Sequence, residues 1–402
     1  MSFEACASLS PVKRDLGQPA APGGRSVSGD GRDAAGSGSL GSGPVQEAAR
    51  LGVSLGTAAV LGMRAVRSDV PPSTAYLMTE GRCIYNCPFC AQARESRAPA
   101  GLLSRVTWPS WPAETVLQRL RRHFRPPAGR ASAGAKSPAM RRICLQVVHS
   151  PGWEEEVDRF LEGLRAEEDP AAPGGAGRCA PAGLRPFVAP VCLSLRPRNL
   201  EQVGQYLAQG VDKVSIAIDV VNPAQYARLK GGAQQAVLDL LLAASRAYPG
   251  RMATHVIVGL GETEEEAIRL LEQLHAHGIT VGLFAFTPVR GTRLSHLPPP
   301  PLGQYRRVQV ANFLLAQGQR PAFQFSPAGR LQSLGEPQER WRRLLADGRA
   351  FQTSGCPDCN RPYYNEHPGR RPFNYPRPLS SQEIARALAD TELPGLCGGG
   401  DL

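Results

Sequence analysis

The chain has 402 residues, of which 46 are basic and 35 acidic, so its formal net charge is +11. Apolar residues make up 42% of the chain, which is enough for a core and excludes disorder of the whole chain. No apolar run reaches the roughly 18–20 residues that a membrane helix needs, and the first ten residues lack the basic leader of a signal peptide. We therefore expect a soluble, cytoplasmic protein that does not engage a membrane.

Arginine supplies most of the positive charge, because only four of the basic residues are lysines. The sequence contains no tract of basic residues with interleaved aromatic side chains, so we expect no nucleic-acid partner. One interpretation is a compositional preference for arginine over lysine. The other is an acidic partner protein or an anionic substrate that the electrostatic field of the protein attracts.

Three segments are of low complexity. Residues 11 to about 45 are rich in Gly, Ser, Ala and Pro without apolar periodicity, so residues 1–45 are predicted to be a disordered N-terminus. From Val45 the pattern becomes helix-like. Pro126–Ala139 and Asp169–Gly183 are similar in composition and are predicted to be surface loops.

Strand and helix patterns alternate after this N-terminus. The predicted strands are Thr74–Thr79, Ile143–His149, Pro190–Leu195, Lys213–Asp219, Met252–Val258 and Thr280–Phe286. The predicted helices are Pro112–Phe124, Trp153–Arg165, Leu200–Gln209, Gln234–Tyr248, Glu262–His277 and Tyr305–Ala316. Strands joined by helical crossovers form a parallel sheet. The series predicts an α/β fold over residues 46–350, either a barrel with its chemistry at the C-terminal ends of the strands or an open doubly wound sheet.

Three cysteines follow the first strand in a C-x3-C-x2-C loop: Cys83, Cys87 and Cys90, with the aromatic residue Phe89 before the last. Three thiolates at this spacing can bind three irons of a cubane cluster and leave the fourth iron open. A zinc knuckle is the structural alternative, but zinc needs a fourth ligand and no Cys or His lies nearby in sequence. We favour the iron–sulfur interpretation.

This motif resembles that of the radical S-adenosylmethionine (SAM) superfamily. The resemblance implies a partial (βα)6 barrel, a [4Fe–4S] cluster on Cys83, Cys87 and Cys90, and SAM bound at the open iron. It also implies an electron donor of the flavodoxin or ferredoxin type. The cluster would cleave SAM reductively to a 5′-deoxyadenosyl radical that abstracts hydrogen from an unactivated C–H bond, so we assign no catalytic side chain.

Similarity to biotin synthase, a member of that superfamily, extends to later strands. Gly259, Gly261 and Glu262, where a strand turns into an acidic helix, resemble its adenine-contact motif, although the residues alone indicate only a βα turn. Asp219 resembles its ribose or substrate acid. The resemblance includes Arg290-Gly-Thr-Arg and Ser326-Pro-Ala-Gly-Arg330, which are similar to its later strands. We expect the glycines, Glu262 and Asp219 to line one cavity with the three thiols.

Biotin synthase holds a second cluster with three cysteines and an arginine, and this sequence departs from that pattern. Cys144 and Cys192 fill two of the cysteine places. The third is replaced around Ala253 or Thr254, and the arginine place corresponds to Gln324. Cys144 and Cys192 can equally be apolar filling of the barrel, because a buried cysteine behaves as a small hydrophobic residue. The glycine-glycine-glutamate motif of the superfamily is not evident either.

The last segment, residues 351–402, is irregular, rich in Pro and Tyr, and contains Cys356 and Cys359. A C-x2-C pair is compatible with zinc, with a redox dithiol or with a cluster. Next to a radical SAM core we favour an auxiliary Fe–S cluster, with Cys144, Cys192, Cys397 or a non-cysteine group completing the ligands. We expect this segment to form a lid over the C-terminal ends of the strands, because a sulfur donor must lie near the substrate radical.

The cysteine loop and the last segment together resemble the two-protein type of lipoyl synthase. That resemblance implies sulfur insertion into an octanoyl chain on a carrier domain, and it implies a paralogous radical SAM protein as a partner. A carrier domain is generally acidic, which suits the arginine-rich composition. Sulfur insertion into a small molecule, as in biotin synthase, is the alternative enzyme function. A non-enzymatic zinc or Fe–S module is the alternative of another class.

Overall fold

Six parallel strands form the centre of the computed structural model, which describes residues 49–124, 140–165, 186–366 and 369–396. The predicted disordered N-terminus, the two predicted surface loops and Cys397 lie outside the described residues. The described residues form one compact unit, in which the C-terminal segment packs with the barrel.

The strands include the six that the sequence pattern predicted, within a few residues at each end. They are β1 (Arg50–Val53), β2 (Thr74–Thr79), β3 (Leu102–Leu103), β4 (Val106–Thr107), β5 (Ser110–Pro112), β6 (Arg142–Gln146), β7 (Val191–Ser194), β8 (Lys213–Ser215), β9 (Met252–Val258), β10 (Thr280–Ala285), β11 (Gln324–Phe325) and β12 (Leu331–Ser333).

The helices alternate with the strands and cover the outer face of the sheet. They are α1 (Leu55–Val60), α2 (Ala113–Phe124), α3 (Trp153–Gly163), α4 (Leu200–Ala208), α5 (Pro223–Leu229), α6 (Gln234–Ala247), α7 (Glu264–Ala276), α8 (Leu302–Ala316), α9 (Gln338–Leu345) and α10 (Ser381–Ala389), with a 3-10 turn at Arg349–Phe351. Among these described helices, none combines the length and the apolar character needed to cross a bilayer.

The main sheet has the strand order β10-β9-β8-β7-β6-β2-β1-β5. The neighbours from β10 to β2 are parallel, and β1 and β5 add an antiparallel edge beyond β2. Side chains from all six parallel strands line a single cavity, so the sheet curves into a partial barrel. This confirms the predicted α/β barrel and rules out the open doubly wound alternative. Within the described residues, the sheet does not close from β10 back to β2.

Three local predictions were wrong. The segment after Val45, predicted to be helix-like throughout, forms the strand β1 before the helix α1 begins, because Leu51 to Val53 are buried against β2. The strand predicted to reach Asp219 ends at Ser215, and Asp219 itself has a positive φ of 60°. The motif Ser326-Pro-Ala-Gly-Arg330 joins β11 to β12 as a turn and contributes no barrel strand.

Buried arginines attach the C-terminal segment to α7 and α8. Arg306 donates to the carbonyls of Pro372 (2.5 Å) and Phe373 (2.6 Å), and its guanidinium lies 5.3 Å from the centre of the Phe351 ring. Arg307 forms an ion pair with Glu264 of α7 at 2.6 Å, with both side chains buried, and also donates to the carbonyl of Thr391 in the C-terminal segment at 3.1 Å. A buried guanidinium is costly unless its N–H groups have acceptors. Because carbonyls of the C-terminal segment are among these acceptors, the contacts hold the segment in one position against the barrel.

Candidate active site

The loop that carries Cys83, Cys87 and Cys90 follows β2 directly, at the C-terminal end of the strands. The amide of Cys83 donates to the carbonyl of Gln92 at 3.0 Å. The buried side chain of Gln92 donates to Ala100 O at 2.6 Å and to Leu102 O at 2.8 Å. The loop is therefore held in its fold by its own backbone and side-chain bonds.

The predicted motif after β10, Arg290-Gly-Thr-Arg, supports this loop and contributes no strand. Arg97 N donates to the carbonyl of Gly291 at 2.9 Å. Gly291 has a φ of +91°, and a Cβ there would lie 2.6 Å from the backbone nitrogen of Ala98. Only glycine permits this close approach, so the motif fixes the chain that follows the cysteine loop.

Burial controls the protonation state of Cys87 and Cys90 in the metal-free chain. It raises the pKa of Cys87 to about 11, partly offset by Lys230, and the pKa of Cys90 to about 12, to which Cys87 adds. Both thiols are therefore protonated at neutral pH and release protons when a metal binds. The chemistry and position of the three thiols fit three ligands of a [4Fe–4S] cluster, which spreads its thiolates over separate irons.

Among the described residues, no three His, Cys, Asp or Glu side chains are grouped so as to hold a metal ion. This finding applies to the thiols of this loop and to the other cysteines alike, so it does not separate zinc from a cluster. The iron–sulfur interpretation of this loop stays a prediction that rests on its spacing.

A cavity of about 320 Å³ runs along the axis of the barrel. Phe89 and Asp219, two of the predicted cofactor-binding residues, line it. So do all seven cysteines that lie in the described part of the chain: Cys83, Cys87, Cys90, Cys144, Cys192, Cys356 and Cys359. The structure thus brings together the two cysteine clusters and the two strand cysteines around one space.

Asp219 forms an ion pair with Lys230 inside this cavity. The Lys230 Nζ lies 2.6 Å from Asp219 Oδ2, and it also donates to the carbonyls of Ala217 (2.8 Å) and Ile218 (3.2 Å). Burial opposes the charge of Lys230, but the Asp219 carboxylate, together with Tyr226 and Cys87, outweighs burial, and the pKa of Lys230 is raised. The pair places a fixed cation and a fixed carboxylate near Cys87. Sequence reasoning missed Lys230, although it is one of only four lysines.

Gly259, Gly261 and Glu262 do not line this cavity, contrary to expectation. The Glu262 carboxylate accepts the amides of Gly259 (2.6 Å) and Leu260 (2.9 Å), so it closes the loop on itself. A Cβ on Gly259, whose φ is +104°, would lie 2.9 Å from Pro300. Leu260 does reach the site, because it packs in one apolar cluster with Phe89. An adenine contact by this motif stays a prediction.

His149 follows β6, in the segment where the sequence lacks the glycine-glycine-glutamate motif of the superfamily. Its Nε2 accepts the Arg196 amide at 2.9 Å, and its ring lies 5.6 Å from Tyr85 and 4.8 Å from Trp153. Burial lowers the pKa of His149 to about 4, so the imidazole is neutral at physiological pH. The guanidinium of Arg196 lies 4.5 Å from the centre of the Tyr85 ring, next to the cysteine loop.

The other four thiols lie at the end of the cavity towards the N-terminal ends of the strands. We call this the lower end, and the end that carries the C-x3-C-x2-C loop the upper end. Cys144 and Cys192 are direct partners in the register of β6 and β7. The thiols of Cys192 and Cys356 are hydrogen-bonded, which lowers the pKa of Cys356 to about 7, although burial opposes the shift. Burial raises the pKa of Cys144, and the nearby Cys356 and Cys359 raise it further. Two strand thiols and two thiols of the last segment thus form one group.

The expectation that the C-terminal segment covers the C-terminal ends of the strands was wrong for the cysteines. The carbonyl of Asp358 accepts from Ser73 Oγ (2.6 Å) and Thr74 Oγ1 (2.7 Å), at the start of β2. The carbonyl of Pro357 accepts from Arg142 Nε at 3.0 Å, at the start of β6. Cys356 and Cys359 therefore enter the barrel from the N-terminal ends of the strands.

From the N-terminal ends of the strands, the segment runs between β2 and β10 towards their C-terminal ends. Arg361 N donates to Tyr76 Oη on β2 at 2.8 Å, and Arg361 Nη2 lies 3.4 Å from Leu283 O on β10. Asn365 then donates to Ala285 O and Thr287 Oγ1, both at 2.9 Å, at the C-terminal end of β10. The segment fills the side of the partial barrel that the sheet leaves open.

Residues 79–274, slightly less than half of the chain, match the profile of the Radical SAM superfamily. No curated protein shows significant similarity to the sequence. Solved structures with a similar fold include HydG, a maturase of the [FeFe]-hydrogenase, with 11% identity, a TM-score of 0.44 and 68% of this chain aligned to 54% of that one. The chain thus matches only about half of that maturase.

Two further structures are similar in the same range. Methylornithine synthase (PylB) has 14% identity and a TM-score of 0.43, over 80% of this chain and 82% of that one. SuiB of Streptococcus suis bound to S-adenosylmethionine has 11% identity and a TM-score of 0.40, over 61% of this chain and 48% of that one.

The partial barrel and the cysteine loop at the end of its first parallel strand define a radical SAM fold. The profile match extends across that loop, so this part of the chain is similar to the Radical SAM superfamily.

Proposed function

We propose that the protein is a sulfur-inserting radical SAM enzyme that acts on an octanoyl chain attached to an acidic carrier domain. The observation that carries the proposal is the single cavity with Cys83, Cys87 and Cys90 at one end and Cys144, Cys192, Cys356 and Cys359 at the other. A substrate between the two groups would face a radical source above and a sulfur donor below.

When bound, the two clusters and SAM would supply a 5′-deoxyadenosyl radical for hydrogen abstraction and a sulfide for the new carbon–sulfur bond. The chain's own task is to hold the acyl chain between the two ends and to exclude water. Met78, Val148, Ile257 and Phe284 present apolar walls for this purpose. Buried apolar walls favour an alkyl chain by the free energy of its transfer from water.

The four lower thiols fit the ligand set of an auxiliary cluster. A four-thiolate cluster is anionic, and the cations Lys213, Arg142 and Arg361 surround Cys356 closely enough to lower its pKa. A buried anion needs such compensation. Because the cavity is continuous, entry of Cys356 and Cys359 from the lower end still leaves the donor facing the substrate.

The carrier, the electron donor and a paralogous radical SAM protein would meet the enzyme at the upper rim, where the cavity is bordered by the cysteine loop. Exposed arginines of that rim, Arg94 and Arg293, are close to Ile84 and Asn86 of the loop. An acidic carrier would complement these cations.

The test uses the reconstituted full-length enzyme with SAM, a reductant and an octanoylated carrier domain. The double variant Cys356→Ala with Cys359→Ala should keep SAM cleavage, bind less iron and form no thiolated carrier. A double variant that still thiolates the carrier would overturn the proposal. A wild type that thiolates a small molecule and ignores the carrier would instead support the biotin-synthase-like alternative.

A further inference from the structure

Three of the four lower thiols accept a hydrogen bond from a nitrogen donor of the barrel or of the C-terminal segment. Arg142 Nη1 lies 3.3 Å from Cys192 Sγ, and Arg361 Nη1 lies 3.4 Å from Cys359 Sγ. Gln146 Nε2 lies 3.0 Å from Cys144 Sγ. Two of these donors are guanidinium groups of buried residues, which distinguishes this group of thiols from the upper loop.

Arg142 joins the barrel thiols to the C-terminal segment. The same guanidinium donates to Cys192, to the carbonyl of Pro357 at 3.0 Å and to the carboxylate of Asp212. The residue is buried at the start of β6. One side chain therefore fixes a strand thiol and the backbone of the Cys356–Cys359 loop relative to each other.

Arg361 occupies a space that the fold leaves for it on the opposite side. Its guanidinium lies 4.1 Å from the centre of the Phe284 ring, and Nη2 donates to Ser354 O at 2.8 Å. A Cβ on Gly355 would lie 3.0 Å from Nη1, and a Cβ on Gly282 would lie 3.3 Å from it. Two glycines thus make room for a cation that points at Cys359.

We propose that Arg142 and Arg361 are positioning residues that hold the four lower thiols in ligand geometry and raise the reduction potential of the cluster bound there. The inference rests on the proposed auxiliary cluster. Hydrogen bonds to cluster sulfurs and nearby positive charge favour the reduced state, because reduction adds negative charge to the cluster. Arg142 and Arg361 each supply a hydrogen bond to a thiol sulfur and a nearby positive charge.

Arg141 is a matched control for Arg142. It is the preceding residue and contacts the same loop, with Nε 2.6 Å from Asp358 Oδ1, but its side chain is half exposed. The structure gives it no bond to a thiol. If contact with the loop were the whole role of Arg142, Arg141 would share it.

The experiment starts from the full-length variant with Cys83, Cys87 and Cys90 all changed to Ala, so that only the auxiliary cluster is reconstituted. The midpoint potential is measured by absorbance in a redox titration. Arg142→Gln and Arg361→Gln should each shift the potential to more negative values. Arg142→Lys and Arg361→Lys should restore part of the shift, because they keep the charge, and Arg141→Gln should leave the potential unchanged.

A second readout needs no cluster. In the metal-free protein, Arg142→Gln should speed hydrogen exchange at the amides of residues 356–361 and alkylation of Cys192, whereas Arg141→Gln should not affect Cys192. Unchanged potentials and unchanged exchange in the glutamine variants would overturn the inference while leaving the proposed function intact. A parent protein that binds no cluster would overturn the proposed function and this inference together.

Discussion

The phenol oxygen of Tyr76 lies 3.5 Å from the sulfur of Cys359, a residue 283 positions later in the chain. It also accepts the backbone amides of Asn360 at 3.1 Å and Arg361 at 2.8 Å. Burial raises the pKa of Tyr76 well above its usual value, and Cys359 adds to the shift, so the phenol is neutral. One side chain at the centre of β2 therefore fixes the backbone of the C-terminal segment inside the barrel.

Tyr76→Phe should loosen this segment without disturbing the upper loop. The change leaves two amides without their acceptor, and each unsatisfied buried donor costs about 1–3 kcal/mol. We expect lower stability in urea unfolding and faster hydrogen exchange at Asn360 and Arg361. Tyr363→Phe, at an exposed position, is the control and should change neither. Equal exchange in both variants would contradict the anchoring role of Tyr76.

The three thiols of the upper loop should be essential for SAM cleavage. With Cys83, Cys87 and Cys90 changed to Ala, the iron content should fall by about four atoms per chain, and 5′-deoxyadenosine should no longer form. The control is Cys144→Ser, which should lower iron content but preserve SAM cleavage. Undiminished 5′-deoxyadenosine in the triple variant would show that the loop does not bind the catalytic cluster.

The sequence predicts the barrel well because its information is local. Each parallel strand is a short β-rich run, and some of the crossover helices start with a recognisable cap, such as Thr263 and Glu266, which form a capping box on α7. The upper cysteine loop is equally local, since its spacing alone limits the metal chemistry. Among the segments that join the parallel strands, the pattern missed α5, a seven-residue helix that Asn222 caps.

The lower thiol group could not be predicted in the same way, because it depends on contacts between distant segments. Nothing near Cys356 in sequence indicates that it pairs with Cys192 or that Arg142 lies beside them. The weak signal was Arg361, two residues after the C-x2-C pair. The predicted side from which the C-terminal segment enters the barrel was also wrong. The prediction assumed that a sulfur donor near the substrate radical must lie at the C-terminal ends of the strands, whereas a cavity along the barrel axis can be reached from either end.

Lys230→Met should destabilise the protein strongly. The Lys230 and Asp219 side chains are 7% and 17% exposed, so the variant leaves a buried carboxylate without its partner. Breaking a buried pair in this way costs about 3–5 kcal/mol. Urea unfolding of the metal-free protein measures the loss.

The surface pair of Arg269 and Glu265 provides the comparison for this prediction. Their side chains are 58% and 43% exposed at 3.7 Å, and exposed pairs contribute about 0–1 kcal/mol. Arg269→Met should therefore change stability little. If both variants lose the same free energy, Lys230 is not paired with Asp219 inside the barrel.

Acid should destabilise the metal-free protein in a defined window. Burial lowers the pKa of His149 and of His255 to about 4, against about 6.5 in an unfolded chain. Between these values the unfolded chain takes up protons that the native state does not. Stability is therefore full above about pH 6.5 and falls towards pH 4, by up to about 1.4 kcal/mol per pH unit for each histidine.

Glu366 acts in the opposite direction in part of the same window. Burial raises its pKa to about 7, although the amides of Asn374 and Phe373 bind the carboxylate and lower it. The native state therefore takes up this proton first, so the group adds stability as the pH falls from about 7 towards about 4.3. Glu366→Gln should make the acid-side loss of stability steeper, whereas His255→Gln should make it shallower. Unfolding free energies measured from pH 7 to pH 4 test both changes, and equal slopes in the two variants would show that neither group carries the assigned shift.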